Sequence, residues 1–100
     1  MGQIMVTAAQ LRQAASQLRD YNSQFKGQVA NLESTEAALK GQWVGEANEK
    51  FHAAFTRDKG EMDEFYNLIE QYCEALEQIA TEYEKAEQQN AEIAAARTYG

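Results

Sequence analysis

The 100-residue chain has no proline, one cysteine, one histidine, one tryptophan and six glycines. Without proline nothing forces a helix to stop or kink, and so little glycine leaves few turns for a many-stranded sheet, so long helices are favoured. The single cysteine, Cys73, excludes an intramolecular disulfide and leaves the redox compartment open. Positive charge is scarce: nine basic side chains face sixteen acidic ones, for a net charge of −7, and no Lys/Arg cluster appears. Nucleic acid is therefore not an expected partner, nor is an anionic lipid surface. No stretch approaches the roughly 18 apolar residues that a membrane span needs. The opening residues lack the basic start and apolar core of a cleavable signal peptide, and Val6 stands where a myristoylation signal needs Ser or Thr. If the protein leaves the cell, it must use a route that reads neither.

What is present is a chain dominated by Ala, Glu and Gln. Its hydrophobic share is 44%, but much of that is alanine, so large apolar residues are few for a compact monomer core. Ile4, Leu11, Leu18, Phe25, Leu32 and Leu39 recur every seven residues, with the weaker half-heptad positions Ala8, Ala15, Asn22, Val29 and Glu36 between them. Thr7-Ala8-Ala9-Gln10 fits a capping box, and Val6 with Leu11 fits the hydrophobic staple that accompanies one. The first helix is expected from Ala8 to Lys40, with Lys40 at the negative end of its dipole and Gly41 as its C′ residue.

A second pattern of three- and four-residue steps runs through Phe51, Phe55, Met62, Phe65, Ile69, Tyr72, Leu76, Ile79, Tyr83, Ala86 and Ile93, with gaps at Asp58 and Asn90. It predicts a helix from Glu46 to Ala95 and then a short tail. Glu46 and Glu49 lie in its first turn, Arg97 lies near its end, and Gly60 marks a weak point that the helix survives. The linker Gly41-Gln42-Trp43-Val44-Gly45 is too short for anything but a reversal, so residues 1–100 form one antiparallel helical hairpin. A reversal centred on the linker sets Thr7 across from Ala80 and leaves the end of the second helix, with Tyr83, Glu87 and Ile93, projecting unsupported. Leu11, Leu18, Phe25, Leu32, Leu39, Phe55, Met62, Phe65, Ile69 and Leu76 are the expected core of the hairpin and of a dimer. Two helices with one seam each need another chain, and pairing of two hairpins predicts an all-α, elongated four-helix bundle.

Chemistry is thinly represented. Glu49-Lys50-Phe51-His52 matches Glu-x-x-His, half of a dimetal ligand set, with Glu36 at a nearby seam position. An antiparallel dimer would place two such half-sets at opposite ends, whereas a dimetal site needs them together, so no metal and no cofactor are expected and His52 reads as solvent-facing. His52 and Cys73 lie about 30 Å apart along one helix, so no nucleophile–base set can be assembled. No catalytic residue and no small-molecule substrate are expected. Cys73 reads as a small buried hydrophobe. Asn22 and Asn90 either fix register from a buried position or face solvent. Trp43, in the turn, either closes the end of the bundle or serves as a partly exposed recognition anchor.

Trp43-Val44-Gly45, placed between two long helices near the middle of a chain of this length, together with Tyr83-Glu84-Lys85-Ala86-Glu87, resembles the WXG family of hundred-residue, early-secreted-antigen-like bacterial proteins. The resemblance covers the whole chain. It implies a non-enzymatic substrate of type VII secretion that dimerises antiparallel with itself or with a related family member. The Trp-x-Gly turn of one subunit would then lie near the Tyr-x-x-x-Glu segment of the other. In the family these two elements form a composite signal for the membrane-bound secretion ATPase, so Trp43, Gly45, Tyr83 and Glu87 would carry export here. The protein would be cytoplasmic before export and extracellular after it. Tyr83 also continues the heptad seam, so the segment reads equally as packed helix. The competing reading is a cytosolic coiled-coil adaptor or chaperone that binds a partner's amphipathic helix.

Overall fold

A computed structural model describes residues 6–99, with side chains through Ala96. Two helices make up the fold: α1, Ala8–Gln42, of 35 residues, and α2, Glu46–Tyr99, of 54. The start of α1 is the expected capping box. Gln10 N–H donates to Thr7 Oγ1 at 3.1 Å, and Thr7 N–H donates back to Gln10 Oε1 at 3.0 Å, so two otherwise orphaned donors are satisfied reciprocally. α2 runs through Gly60 without a break and continues through the residues expected to form a tail. Ile4, at the head of the predicted seam, and the side chain of Arg97 lie outside the described residues.

The hairpin divides into two compact units, one of Met1–Leu18 with Gln71–Gly100 and one of Arg19–Glu70. In the first, which holds the termini, the fully buried positions are small: Ala8, Ala15, Cys73 and Ala80. In the second, which holds the turn, α1 buries Asn22, Val29 and Glu36. In both units α1 therefore packs on its half-heptad positions. The larger residues at the other heptad positions sit three residues away, roughly 60° around the helix, and so flank the contact. Leu11, Leu18, Phe25, Phe55, Met62, Ile69 and Leu76 are half-buried there. Leu32, Leu39 and Phe65 remain 48%, 41% and 51% exposed, so the hairpin itself does not bury these three expected core residues. A lone pair of helices has one line of contact, and small side chains win it because they let the backbones approach closely.

Asn22 takes the register-fixing role. Its Nδ2 donates to the Tyr66 carbonyl oxygen at 3.0 Å and to Glu70 Oε2 at 2.9 Å, while Arg19 Nη1 pairs with Glu70 Oε1 at 3.2 Å. Asn90, by contrast, is exposed. The rings of Phe25 and Phe65 meet in an edge-type contact with centroids 5.6 Å apart.

The register differs from the symmetric expectation. In the unit of the termini, Ala8 N–H donates to Glu87 Oε1 at 3.3 Å, so the start of α1 lies about two turns further along α2 than Ala80. In the unit of the turn the pairing stays close to the symmetric expectation, with Glu36 met by His52 and Asn22 bonded to the Tyr66 carbonyl. Tyr83 and Glu87 accordingly lie on a helix that packs beside the first turns of α1, and only the residues beyond them run on past Glu87.

Candidate functional site

The turn is built from backbone geometry. Trp43 N–H donates to the Leu39 carbonyl at 3.0 Å, closing the last turn of α1, and Lys40 in that turn faces the negative end of the dipole. Gly45 has φ of +129°, the only positive value among the described residues, and it precedes Glu46 as the cap of α2. Its carbonyl accepts from Asn48 N–H at 3.2 Å and Glu49 N–H at 3.3 Å. Glycine is needed here for conformation and not for space, since a Cβ at this position would meet nothing within 4 Å. Gly41, the expected C′ residue, lies inside α1 instead. Glu46 and Glu49 occupy the first turn of α2, where the dipole favours acids.

Trp43 is half-buried. Its ring leans on Phe51 with centroids 5.8 Å apart and planes 49° apart, while Val44 beside it is 92% exposed. Behind this turn the helices are pinned by a polar clip. His52 Nδ1 contacts Glu36 Oε1, and Lys40 Nζ lies 3.2 Å from His52 Nε2. Glu36 is buried and His52 half-buried, so the expected solvent-facing histidine is instead a cross-helix partner. Among the described residues no group of three or more His, Cys, Asp or Glu side chains is arranged to hold a metal ion.

In the unit of the termini, Tyr83 is 46% exposed and Glu87 caps the first turn of α1 through Ala8 N–H. Arg12 Nη1 bonds Glu84 Oε2 at 2.9 Å, one turn from that cap. Trp43 and Gly45 thus belong to one unit, and Tyr83 and Glu87 to the other. Sequence reasoning missed two contributors: Phe51 as the seat of Trp43 and Arg12 as the holder of Glu84. Phe51 was visible as a seam position and the Arg12–Glu84 pair had no local signal, whereas Glu36 was expected near His52 and is found there.

These features define a class: small helical-hairpin proteins whose reversal is a Trp-x-Gly turn capped by its glycine. Residues 3–88 match the family described as WXG100, proteins of 100 residues with WXG, and the chain belongs to that family. The ESAT-6-like protein EsxB of Mycobacterium tuberculosis (strain ATCC 25618 / H37Rv) is 26% identical over 89 residues, which is 89% of each chain. The crystal structure of the secreted protein EsxB from Bacillus anthracis str. Sterne superposes with a TM-score of 0.76 at 25% identity, covering 87% of this chain and 99% of that one. EsxA of Geobacillus thermodenitrificans gives a TM-score of 0.77 at 26% identity, covering 91% of this chain and 98% of that one. The chain is therefore an ESAT-6-like WXG100 helical hairpin of the type VII-secreted, non-enzymatic class, a family whose members form dimers. Among the described residues no helix is long and apolar enough to cross a membrane.

Proposed function

We propose that this protein is exported folded, as a homodimer, by a type VII secretion apparatus. In the dimer the Trp43–Gly45 turn of one copy lies beside the Tyr83–Glu87 segment of the other, forming the signal read by the secretion ATPase. The observation that carries this reading is the flank of large apolar side chains that the hairpin leaves uncovered. Leu39 and Phe65 stand exposed in the unit of the turn, and Tyr72 and Ile79 in the unit of the termini, where they adjoin half-buried Leu18 and Leu76 in an apolar groove. A soluble chain that leaves so many large side chains uncovered is built to meet a partner. Self-pairing is preferred because symmetric dimers are the commonest oligomers, and a related family member is the alternative partner.

The test has two parts. Sedimentation of the protein expressed alone should give a dimer; a monomer that melts cooperatively would overturn self-pairing. In a type VII-competent host, Trp43→Ala, Tyr83→Ala and Glu87→Gln should each shift the protein from culture supernatant to cell pellet. If all three variants fold and are exported like the parent, the signal assignment is wrong. If the parent itself stays in the pellet and binds a partner's helix, the adaptor reading is the correct one.

A further inference from the structure

Arg12 sits one turn into α1, and its guanidinium reaches across to α2. Nη1 donates to Glu84 Oε2 at 2.9 Å, and Nη2 donates to Glu84 Oε1 at 3.5 Å and Thr81 Oγ1 at 3.4 Å. One turn nearer the start of α1, Ala8 N–H donates to Glu87 Oε1 at 3.3 Å, and the Thr7–Gln10 capping box fixes that turn in place. Thr81, Glu84 and Glu87 are spaced by three, so they form one row on α2, and α1 grips all three members of it. Tyr83 lies off that row and is 46% exposed. The Tyr-x-x-x-Glu segment is therefore a helix held by its neighbour and not a loose tail.

We propose that Arg12 is a positioning residue for export. It clamps the turn at Thr81 and Glu84 while the first amide of α1 holds Glu87, so that Tyr83 and Glu87 meet the secretion ATPase as one fixed helical face. The inference rests on the export reading above and adds a residue of α1 to a signal otherwise made of the turn and α2. An exposed Arg–carboxylate pair adds little to global stability. Its loss should thus leave the melting curve near that of the parent while changing how the segment is presented.

The experiment uses a charge swap in the full chain, produced in a type VII-competent host, with the supernatant-to-pellet ratio as readout and circular dichroism melting as the fold control. Arg12→Glu and Glu84→Arg should each lower the secreted share by about two- to fivefold, the range an exposed fork of this kind sustains. The double variant, with the pair reversed, should restore export. Normal export of both single variants would overturn the positioning role, as would a double variant no better than the singles, which would mean that the side chains touch the receptor directly. Glu87→Gln, run alongside, tests the underlying reading separately: its normal export would remove the signal assignment itself, whereas its loss of export together with normal Arg12→Glu export would remove only the role of Arg12.

Discussion

Glu36, buried on α1, is met across the hairpin by Nδ1 of His52 on α2, so the chain's single histidine gives a hydrogen-bond partner to an acid that would otherwise be stranded between two helices. With the Nδ1 proton directed at the carboxylate, Nε2 is the acceptor for the Lys40 ammonium 3.2 Å away. His52→Ala should destabilise the fold by about 1–3 kcal/mol, the cost of leaving a buried acceptor unpaired. Glu36→Ala combined with His52→Ala should recover part of that loss, because no carboxylate is left without its partner. Urea unfolding of the single and double variants checks this; strictly additive losses would contradict the clip.

Asn22 makes two cross-helix bonds, to the Tyr66 carbonyl and to Glu70. Asn22→Ala should cost about 1–3 kcal/mol, since it removes two cross-helix bonds, one of them to a carboxylate that Arg19 is then left to hold. A thermal melt reads the loss directly.

Gly45→Ala should cost about 1–3 kcal/mol through backbone strain alone, because φ of +129° is unfavourable for any residue with a Cβ and no neighbouring atom obstructs the added methyl. A substitution that left the melting temperature unchanged would mean that the turn relaxes to another conformation.

Leu32 is 48% exposed in the single hairpin, so Leu32→Ala should barely change the stability of a dilute chain. If the apolar flank is a dimer interface, the cost should grow with protein concentration, because association stabilises only the folded form by mass action. Melting the parent and the variant across a concentration series separates the two cases.

Lys59 gives a small pH dependence. A hydrogen bond to Asp63 raises its ammonium above 10.5, partial desolvation opposes the rise, and the charges of Asp63 and Glu33 add to it. The folded value lies above the unfolded one, so the contribution is complete below 10.5 and is lost as pH climbs through the raised value. Lys59→Met should therefore flatten the alkaline end of the stability profile, as stability measured at a series of pH values would show.

Both helices, the reversal and the capping box at Thr7 were legible because each has a local cause: seven-residue periodicity, two closely spaced glycines, and a Thr–Gln pair three residues apart. Which edge of the stripe would be buried was not legible. Periodicity locates an apolar band about 100° wide, and only the closeness of approach decides that Ala15 and Val29 lie inside it while Leu32 lies at its rim. Register was misread only in the unit of the termini, where Glu87 and Arg12 reach along the pair to their partners, and a count of residues cannot show that. Arg12 was opaque because its partner lies on the opposite helix, so nothing in its own neighbourhood distinguished it from a solvated side chain; Glu36 was placed near His52 from its seam position, but His52 was still read as solvent-facing.

The turn fixes its path through Gly45 and its anchor through Trp43, which leaves Val44 at 92% exposure with no structural duty. The middle position of the motif is thus a free attachment point. A cysteine introduced by Val44→Cys could carry a dye at the bend itself, and the native thiol of Cys73, with 0% exposure, would stay unlabelled while the chain remains folded. One reagent would then report separately on the environment of the bend and, when Cys73 begins to react, on the opening of the helix pair.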